Sequence, residues 1–564
     1  MKKILVTSAL PYINGVPHLG HIVGCLLPSD VYARFMKMTG HNVLYIAGTD
    51  EHGTTSEVGA LKAGMDVQSY CDMFHEKHAQ TYRDFNLDFD FFGRTSSAQN
   101  KEITYMIFEA LDKNGFIEER EVKQVYSVDD KMFLADRYIT GTCPYCGYEN
   151  ARGDQCENCT KVLEPTDLIN PKSAVSGATN LEVRTSKHLF LNLPKIEPEL
   201  KNWLKTKEAF WPDVAYSIAL KWLKEGLEPR CITRDLKWGF PVPKAGYEDK
   251  VFYVWFDAPI GYIGITKQWS DEKPDKRDWK DWWFNDDVYY VEFMGKDNVP
   301  YHSITFPATL LGTQKGFKKV DFLKGASYLT FEGGKFSKSE KRGVFASDAV
   351  LEFAADYWRY FLMSNMPESS DSSFTFDLFA GTVNKDLNGV LGNFVSRVLK
   401  MTASKIGQTV PAAAEFTELE KQMLENMQTH VDLYFKYMNA LEFRKALAEL
   451  RAVWVEGNNY ITLAEPWTVI KENEARAGAI LNVCMNLIRV FALLTYPVMP
   501  QSAENMLSRF DLKIDAHRDL KDFDLKKELN FFKGGEPFSV GEALFERISP
   551  ERVDELKVKY GSGK

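Results

Sequence analysis

The chain opens on an apolar run, Ile4 to Thr7, whose pattern predicts a buried strand. Pro11, Gly15 and Pro17 mark a loop, and a helix is predicted from about Leu19 to Met38. Val43 to Ala47 reads as a second strand, closed by the polar turn Gly48-Thr49-Asp50-Glu51-His52-Gly53. Strand, helix, strand at this spacing is the βαβ unit of a parallel sheet, so the fold class is α/β. From about Phe116 to Pro229 short polar segments and a cysteine cluster replace this pattern, which suggests a domain inserted into the sheet's crossover. Strand signals return at Val251 to Phe256, Val288 to Met294 and Val320 to Ala326, the last leading to Gly333-Gly334. After about Asp386, Leu387, Val390, Leu391, Phe394, Val395, Val398 and Leu399 recur at helical spacing, predicting a helical region to near Glu551.

At 564 residues the chain exceeds one hydrophobic core and should form about three to five packed units. A net charge of −9 argues against indiscriminate nucleic-acid binding but leaves room for a local basic track. The most apolar window, Gly478 to Met499, is interrupted by Asn482, Asn486 and Arg489, so it reads as an amphipathic bundle helix and not a membrane span. The start lacks a small-residue cleavage site, so its apolar run is read as a strand and not a leader. Cys25, Cys71, Cys231 and Cys484 are scattered and form no disulfide framework, which fits a reducing, cytoplasmic setting.

Two short motifs carry candidate chemistry. His18-Leu19-Gly20-His21 stands between the first strand and its helix, where backbone N–H groups favour phosphate. The histidines, three apart, share one side of the first turn, and Gly20 lets a flat base approach. Alone, the motif is equally well two surface histidines. Lys335-Phe336-Ser337-Lys338-Ser339 follows the paired glycines, and its lysines can neutralise a triphosphate as charge develops. Alone, it is more simply a solvated loop. Cys143-Pro144-Tyr145-Cys146 and Cys156-Glu157-Asn158-Cys159 have the spacing for four thiolates around one tetrahedral zinc, with no open position, so the site is structural.

H-x-G-H followed by K-x-S-K-S resembles the signature pair of class I aminoacyl-tRNA synthetases. Further segments resemble the methionyl branch: Ala9-Leu10-Pro11-Tyr12, the 48–53 turn, Val254-Trp255-Phe256-Asp257-Ala258-Pro259-Ile260-Gly261-Tyr262, and Gly295-Lys296-Asp297-Asn298-Val299-Pro300-Tyr301-His302. The resemblance covers residues from about 4 to 550. Phe336 and Asn298 are similar to the archaeal and eukaryotic type, since most bacterial members have Met and an aliphatic residue there.

The resemblance implies a Rossmann-like parallel-sheet catalytic domain in two halves, 1–115 and 230–326. It further implies a zinc-bearing insert over 116–229, a loop domain over 327–386, an all-α anticodon-binding bundle over 387–551 and a tail over 552–564. It implies a methionine site of Leu10, Tyr12, Asp50, Trp255, Ala258, Pro259, Tyr262 and His302, with Val254–Tyr262 as a pocket strand. Asp50, at the carboxyl end of a parallel strand, can pair with an α-ammonium, and the aromatics can wrap a thioether. For Trp255 and Tyr262 the pattern by itself favours core packing. His18, Gly20, His21, Lys335 and Lys338 are expected to bind ATP with Mg²⁺, Asp297 to reach the ribose, and His18, His21, Lys335 and Lys338 to act in catalysis. Asn393, Arg397 and Trp467, near Asn459-Tyr460 and Pro466, are expected to read the anticodon of tRNA(Met); the residues alone favour a solvated face and a core tryptophan. One zinc is expected, because Ser173 and Ser176 stand about where some relatives have a second cysteine pair. Ending without a dimerising extension, the chain is expected to be a monomer.

Other readings remain on the residues alone. A valine, isoleucine or leucine enzyme would carry a larger editing insert. A cysteine enzyme would place zinc in the substrate pocket. A tRNA-independent nucleotidyltransferase could share H-x-G-H but would not need the helical region. An inactive tRNA-binding protein would not need both signature motifs.

Overall fold

The computed structural model describes residues 1–13, 15–134, 138–153, 156, 158–159, 161, 163–334, 336 and 342–561. The strands that frame the site are β1 (Lys3–Ser8), β2 (Asn42–Thr49), β3 (Phe91–Arg94), β4 (Ile117–Ser127), β5 (Leu181–Leu191), β6 (Arg230–Cys231), β7 (Val288–Gly295) and β8 (Phe322–Ala326). The main sheet runs β8-β7-β1-β2-β3, all parallel. β1 lies at its centre, paired from Lys3 with both Asn42 and Val288. A central parallel strand is covered on both faces, so Ile4, Leu5 and Val6 form an unbroken apolar run.

The helix after β1 spans 19–38 in three continuous parts: α-helical Leu19–His21, a π-helical Ile22–Leu26 and α-helical Leu27–Met38. Its far half meets a buried charge cluster. Asp30 accepts from Arg34 at 3.0 Å and from Arg359 at 2.6 Å. Arg359 also donates to the carbonyls of Phe85 at 3.2 Å and Val498 at 2.7 Å, so it ties the sheet domain to the helical region. Burial would raise the Asp30 carboxyl, but the two guanidiniums hold it below its ordinary range.

In the insert, β4 and β5 pair antiparallel from Ile117–Leu191 to Ser127–Leu181, and β6 returns beside β5. The cysteine segment rides on a separate small sheet of Ile139–Thr142, Ala151–Arg152 and Ile169–Ser173.

Three expectations need correction. The strand expected over Val251–Phe256, and the pocket strand over Val254–Tyr262, reduce to Val251–Phe252; a helix then runs Val254–Asp271. It is buried on nearly every side, which removes the amphipathic period from its sequence. The apolar window near the end forms the helix Glu474–Thr495, which is not amphipathic but enclosed. By length and composition it could cross a membrane, yet 94% of that window is buried. Its buried Asn482 donates to the Pro411 and Phe532 carbonyls, and Asn486 accepts from the Phe532 amide, so the polar interruptions pin neighbouring loops. Helical order also stops earlier than expected. Residues 509–549 are mostly irregular, with the short helix Leu525–Glu528, whereas the expected tail begins inside a helix, Pro550–Tyr560, started by Ser549 and Pro550.

Candidate active site

The loops leaving the carboxyl ends of β1, β2, β7 and β8 surround one cavity of about 340 Å³. Leu10, Tyr12, His18, Gly20, His21, Asp50, Trp255, Ala258, Pro259, Tyr262, Asp297 and His302 all line it. Residues as far apart as Leu10 and His302 therefore meet where open α/β sheets take ligands.

Asp50 sits just past β2 and is 3% exposed. Its N–H donates to the Pro11 carbonyl at 3.0 Å and its carbonyl accepts from Ile13 at 3.1 Å, which locks the β1 and β2 loops together. Its Oδ1 has no hydrogen-bond partner among the described residues. Burial, then the charges of Asp257 and Glu51, push its carboxyl well above the usual range. Such a group is incomplete until a cation arrives. Behind it, Asp257 Oδ2 lies 2.5 Å from His52 Nδ1.

The helix Val254–Asp271 presents Trp255, Ala258, Pro259 and Tyr262, spaced as one helical face. Trp255 meets Tyr12 edge-on at 6.0 Å and stacks on Tyr301 at 3.7 Å. The Tyr262 ring lies 5.6 Å from His302, and His302 Nδ1 lies 3.3 Å from Glu292, which also accepts from Tyr290. An aromatic cup beside one carboxylate suits a small amino acid with an apolar, polarisable side chain.

His18 caps the helix over 19–38. Its Nδ1 accepts from the Gly20 N–H at 3.0 Å, while its own N–H donates to His21 Nδ1 at 3.2 Å. Each Nδ1 is thus an acceptor, which leaves Nε2 of each ring carrying the proton and able to donate. A Cβ at Gly20 would meet the His18 ring at 2.8 Å, so a larger residue there would displace that ring. Lys335 and Lys338 lie outside the described residues, but Phe336 between them packs on His18. Asp297 stands exposed at the cavity mouth.

Sequence reasoning missed Tyr301, the stacking partner of Trp255, and the lining residues Ser327, Tyr328 and Leu329. Those three directly follow β8, so the rule that ligands sit beyond strand carboxyl ends could have found them.

Away from this cavity, the sulfurs of Cys143, Cys146, Cys156 and Cys159 all lie within 4.8 Å of one another. Cys143–Cys159 are 3.8 Å apart and Cys146–Cys156 3.6 Å. Four thiolates at about 2.3 Å from a tetrahedral zinc would stand roughly 3.8 Å apart. The cluster can hold a metal ion.

In the helical region, Asn393 is exposed and Arg397 lies one turn on. The Arg397 guanidinium sits 5.5 Å from the Trp467 ring, with Nε and Nη2 lacking hydrogen-bond partners among the described residues. Trp467 is 39% exposed, so it is not a core tryptophan. Of the expected Asn459-Tyr460 pair only Asn459 faces outward. Tyr460 is buried and donates to Glu420 at 2.6 Å, because neighbours on a helix point about 100° apart.

Comparison with known proteins agrees with this geometry. The family described as "tRNA synthetases class I (M)" matches residues 4–399, and "Anticodon binding domain of methionyl tRNA ligase" matches 410–564. The chain is 51% identical to the methionine–tRNA ligase of Streptomyces avermitilis, over 100% of this chain and 99% of that protein. It is 48% identical to methionine–tRNA ligase 1 of Acaryochloris marina, over 99% of this chain and 100% of that one. In fold, the chain matches Mycobacterium tuberculosis methionyl-tRNA synthetase solved with methionyl-adenylate, at a TM-score of 0.78 and 24% identity, covering 97% of this chain and 100% of that one. The chain belongs to the methionine–tRNA ligase family of class I aminoacyl-tRNA synthetases.

Proposed function

We propose that the chain activates methionine with ATP and transfers it to the 3′ end of tRNA(Met). The observation that carries this reading is the buried Asp50 carboxyl, with Oδ1 unpartnered among the described residues, on the same cavity as His18 and His21. Asp50 pairs with the methionine α-ammonium, and Leu10, Tyr12, Trp255, Ala258, Pro259, Tyr262 and His302 enclose the thioether side chain. The methionine carboxylate then needs no protein nucleophile. One of its oxygens bonds to the α-phosphorus as the bridging P–O bond breaks and pyrophosphate leaves. Catalysis is positioning plus charge stabilisation. The Nε2–H groups of His18 and His21 donate to phosphate oxygens at a helix start that itself favours anions. Gly20 leaves room for the base, Asp297 takes the ribose hydroxyls, and Lys335 and Lys338 receive the leaving charge. Mg²⁺ enters with ATP and supplies further neutralisation. In the second step the terminal ribose hydroxyl of tRNA attacks the activated carbonyl.

Cys143, Cys146, Cys156 and Cys159 hold one structural zinc, a reading supported by sulfur spacings that suit a four-thiolate site. Asn393, Arg397 and Trp467 contact the anticodon, supported by the exposure of Asn393 and Trp467 and by the Arg397 guanidinium 5.5 Å from the Trp467 ring. The division of labour follows the chain: 1–115 and 230–326 catalysis, 116–229 the zinc insert, 327–386 the loop domain, and 387–551 the anticodon. The protein acts as a cytoplasmic monomer.

The test is ATP–pyrophosphate exchange across all twenty amino acids. Methionine alone should support it strongly. Homocysteine, one methyl smaller, should be a weak substrate, since a methylene-sized contact is worth about 1–3 kcal/mol. Strong exchange with valine or cysteine and none with methionine would overturn the reading.

A further inference from the structure

Two buried side chains, His52 and Asp257, meet behind the Asp50 turn without lining the cavity themselves. His52 Nδ1 lies 2.5 Å from Asp257 Oδ2, although the residues are 205 apart in sequence. Asp257 sits in the first turn of the helix Val254–Asp271, where the helix dipole favours negative charge. The His52 ring meets Phe240 edge-on at 4.5 Å and Trp238 at 5.5 Å, and Trp238 Nε1 donates to the Glu51 carbonyl at 2.6 Å. Gly53 closes the turn at φ 91°, and a Cβ there would stand 3.4 Å from the Val254 side chain. The turn that carries Asp50 is therefore fastened, at His52 and at Gly53, to the helix that carries Trp255, Ala258, Pro259 and Tyr262.

The titratable groups that face Asp50 are Glu51 in its own turn and Asp257 and Tyr262 on the pocket helix. Glu51 is already compensated: Arg94 Nε donates to it at 3.0 Å and Thr49 at 2.8 Å, with His75 at 3.8 Å and Asp72 beyond Arg94. Tyr262 stays neutral, its hydroxyl pushed up by burial and then by Glu292, with Asp50 a smaller cause. Asp257 is held by His52, while its Oδ1, like that of Asp50, has no hydrogen-bond partner among the described residues. Burial raises Asp257, and His52 opposes that rise. Asp50 and Asp257 are thus two buried carboxyls that feel each other, and ionising both is costly until a cation arrives.

Resting on the assignment of Asp50 to the methionine ammonium, we propose that His52 and Asp257 are positioning residues for methionine binding. The pair registers the Asp50 turn against the pocket helix, and the Asp257 charge makes an ionised Asp50 conditional on an arriving cation. The ammonium contact and the aromatic cup are then set as one unit, since a shift of either half moves Asp50 relative to Trp255 and Tyr262. Because neither residue lines the cavity, the pair governs how firmly methionine is held and not the phosphoryl step.

The test uses the full-length protein, with equilibrium methionine binding across pH and exchange kinetics at varied methionine and ATP. Asp257→Asn keeps the size and removes the charge. The pH midpoint of methionine affinity should then move down by roughly one pH unit, the scale on which a neighbouring charge shifts a carboxyl. His52→Ala should raise KM for methionine about tenfold or more, since misplacing a contact by about 1 Å can cost about 10²-fold. KM for ATP and kcat should hardly change, because a contact kept alike in ground and transition states acts on KM alone. His52→Gln, which can still donate to Asp257, should recover most of the loss. Circular dichroism checks folding, and if Asp257→Asn does not fold the histidine variants decide. A midpoint that stays or rises in Asp257→Asn would overturn the proposal. So would no loss, or equal losses towards methionine and ATP, in His52→Ala. Asp50→Asn separates this failure from that of the premise: a wild-type pH profile that persists there means that Asp50 does not hold the ammonium, and the role of the pair falls with it.

Discussion

Phe336 lies flat on His18, with ring centroids 4.5 Å apart and planes 5° from parallel. This stack joins the two signature motifs, which are more than three hundred residues apart in sequence. The His18 ring is thus held both by this stack and by the Gly20 N–H on its Nδ1.

Phe336→Ala should slow adenylate formation about 3–10-fold, the loss of an aromatic contact worth about 0.5–1.5 kcal/mol. Methionine affinity should stay nearly constant. Lys338→Ala should cost more, on the order of 10²–10³ in rate, if this lysine neutralises the leaving group as proposed. Rapid kinetics beside equilibrium methionine binding separates rate from affinity. Unchanged rates in both variants would mark the loop as a solvated surface.

Methionine binding should depend on pH through Asp50. Its carboxyl is raised well above the usual range by burial and by Asp257 and Glu51. An α-ammonium needs the ionised form. Affinity should be full above the raised pKa and fall as pH drops through it, up to tenfold per pH unit below. For the free protein the sign reverses: a raised carboxyl binds more protons folded than unfolded, so this contribution to stability is lost as pH rises through the folded pKa. Asp50→Asn should weaken methionine about 10–100-fold, as expected for a charged hydrogen bond of about 1.5–3 kcal/mol, and flatten the profile. A wild-type profile already flat down to the ordinary carboxylate range would remove Asp50 from the ammonium site.

Metal analysis should find one zinc per chain. Cys146→Ser should lose it and loosen the small sheet of Ile139–Thr142, Ala151–Arg152 and Ile169–Ser173, visible as new proteolytic cuts there. Zero or two equivalents in the wild type would count against a single four-thiolate site.

Trp467→Ala should cut aminoacylation while leaving ATP–pyrophosphate exchange almost unchanged. A base–aromatic stack is worth about 1–3 kcal/mol. Because Trp467 is 39% exposed, thermal stability should hardly move. Loss should be confined to tRNA bearing the methionine anticodon. Equal loss of exchange and charging would point to a structural role instead.

Much of this was legible in the sequence, for reasons that also explain the failures. β1 and β2 were readable because a buried parallel strand is a short apolar run between turn residues. The pocket helix was not, because Val254–Asp271 is apolar on nearly every side and a short piece of it passes for a strand. Its signal lay in the site residues themselves: Trp255, Ala258, Pro259 and Tyr262 are spaced i, i+3, i+4, i+7, and a proline argues against a central strand. Tyr460 failed for a similar reason. Adjacent residues in a motif share a strand's neighbourhood but not a helix's face, so Asn459 is exposed and Tyr460 buried. The electrostatics of Asp50 were not legible, since they arise first from burial and then from Asp257, some two hundred residues away; only Glu51 is its neighbour in sequence.

The sheet order has a consequence for how the chain is made. β1 leaves the ribosome before the other strands of this sheet, yet its pairing with β7 waits until Val288–Gly295 is synthesised. At about 5–20 residues per second, the intervening stretch takes roughly a quarter of a minute to a minute to appear. Through that interval the edge of β1 that will face β7 has no native partner, and β1 carries the consecutive apolar residues Ile4, Leu5 and Val6. An open, apolar edge is a site for wrong pairing. The insert and its four clustered cysteines emerge within the same interval, so that unit can be complete before the main sheet closes around its own first strand.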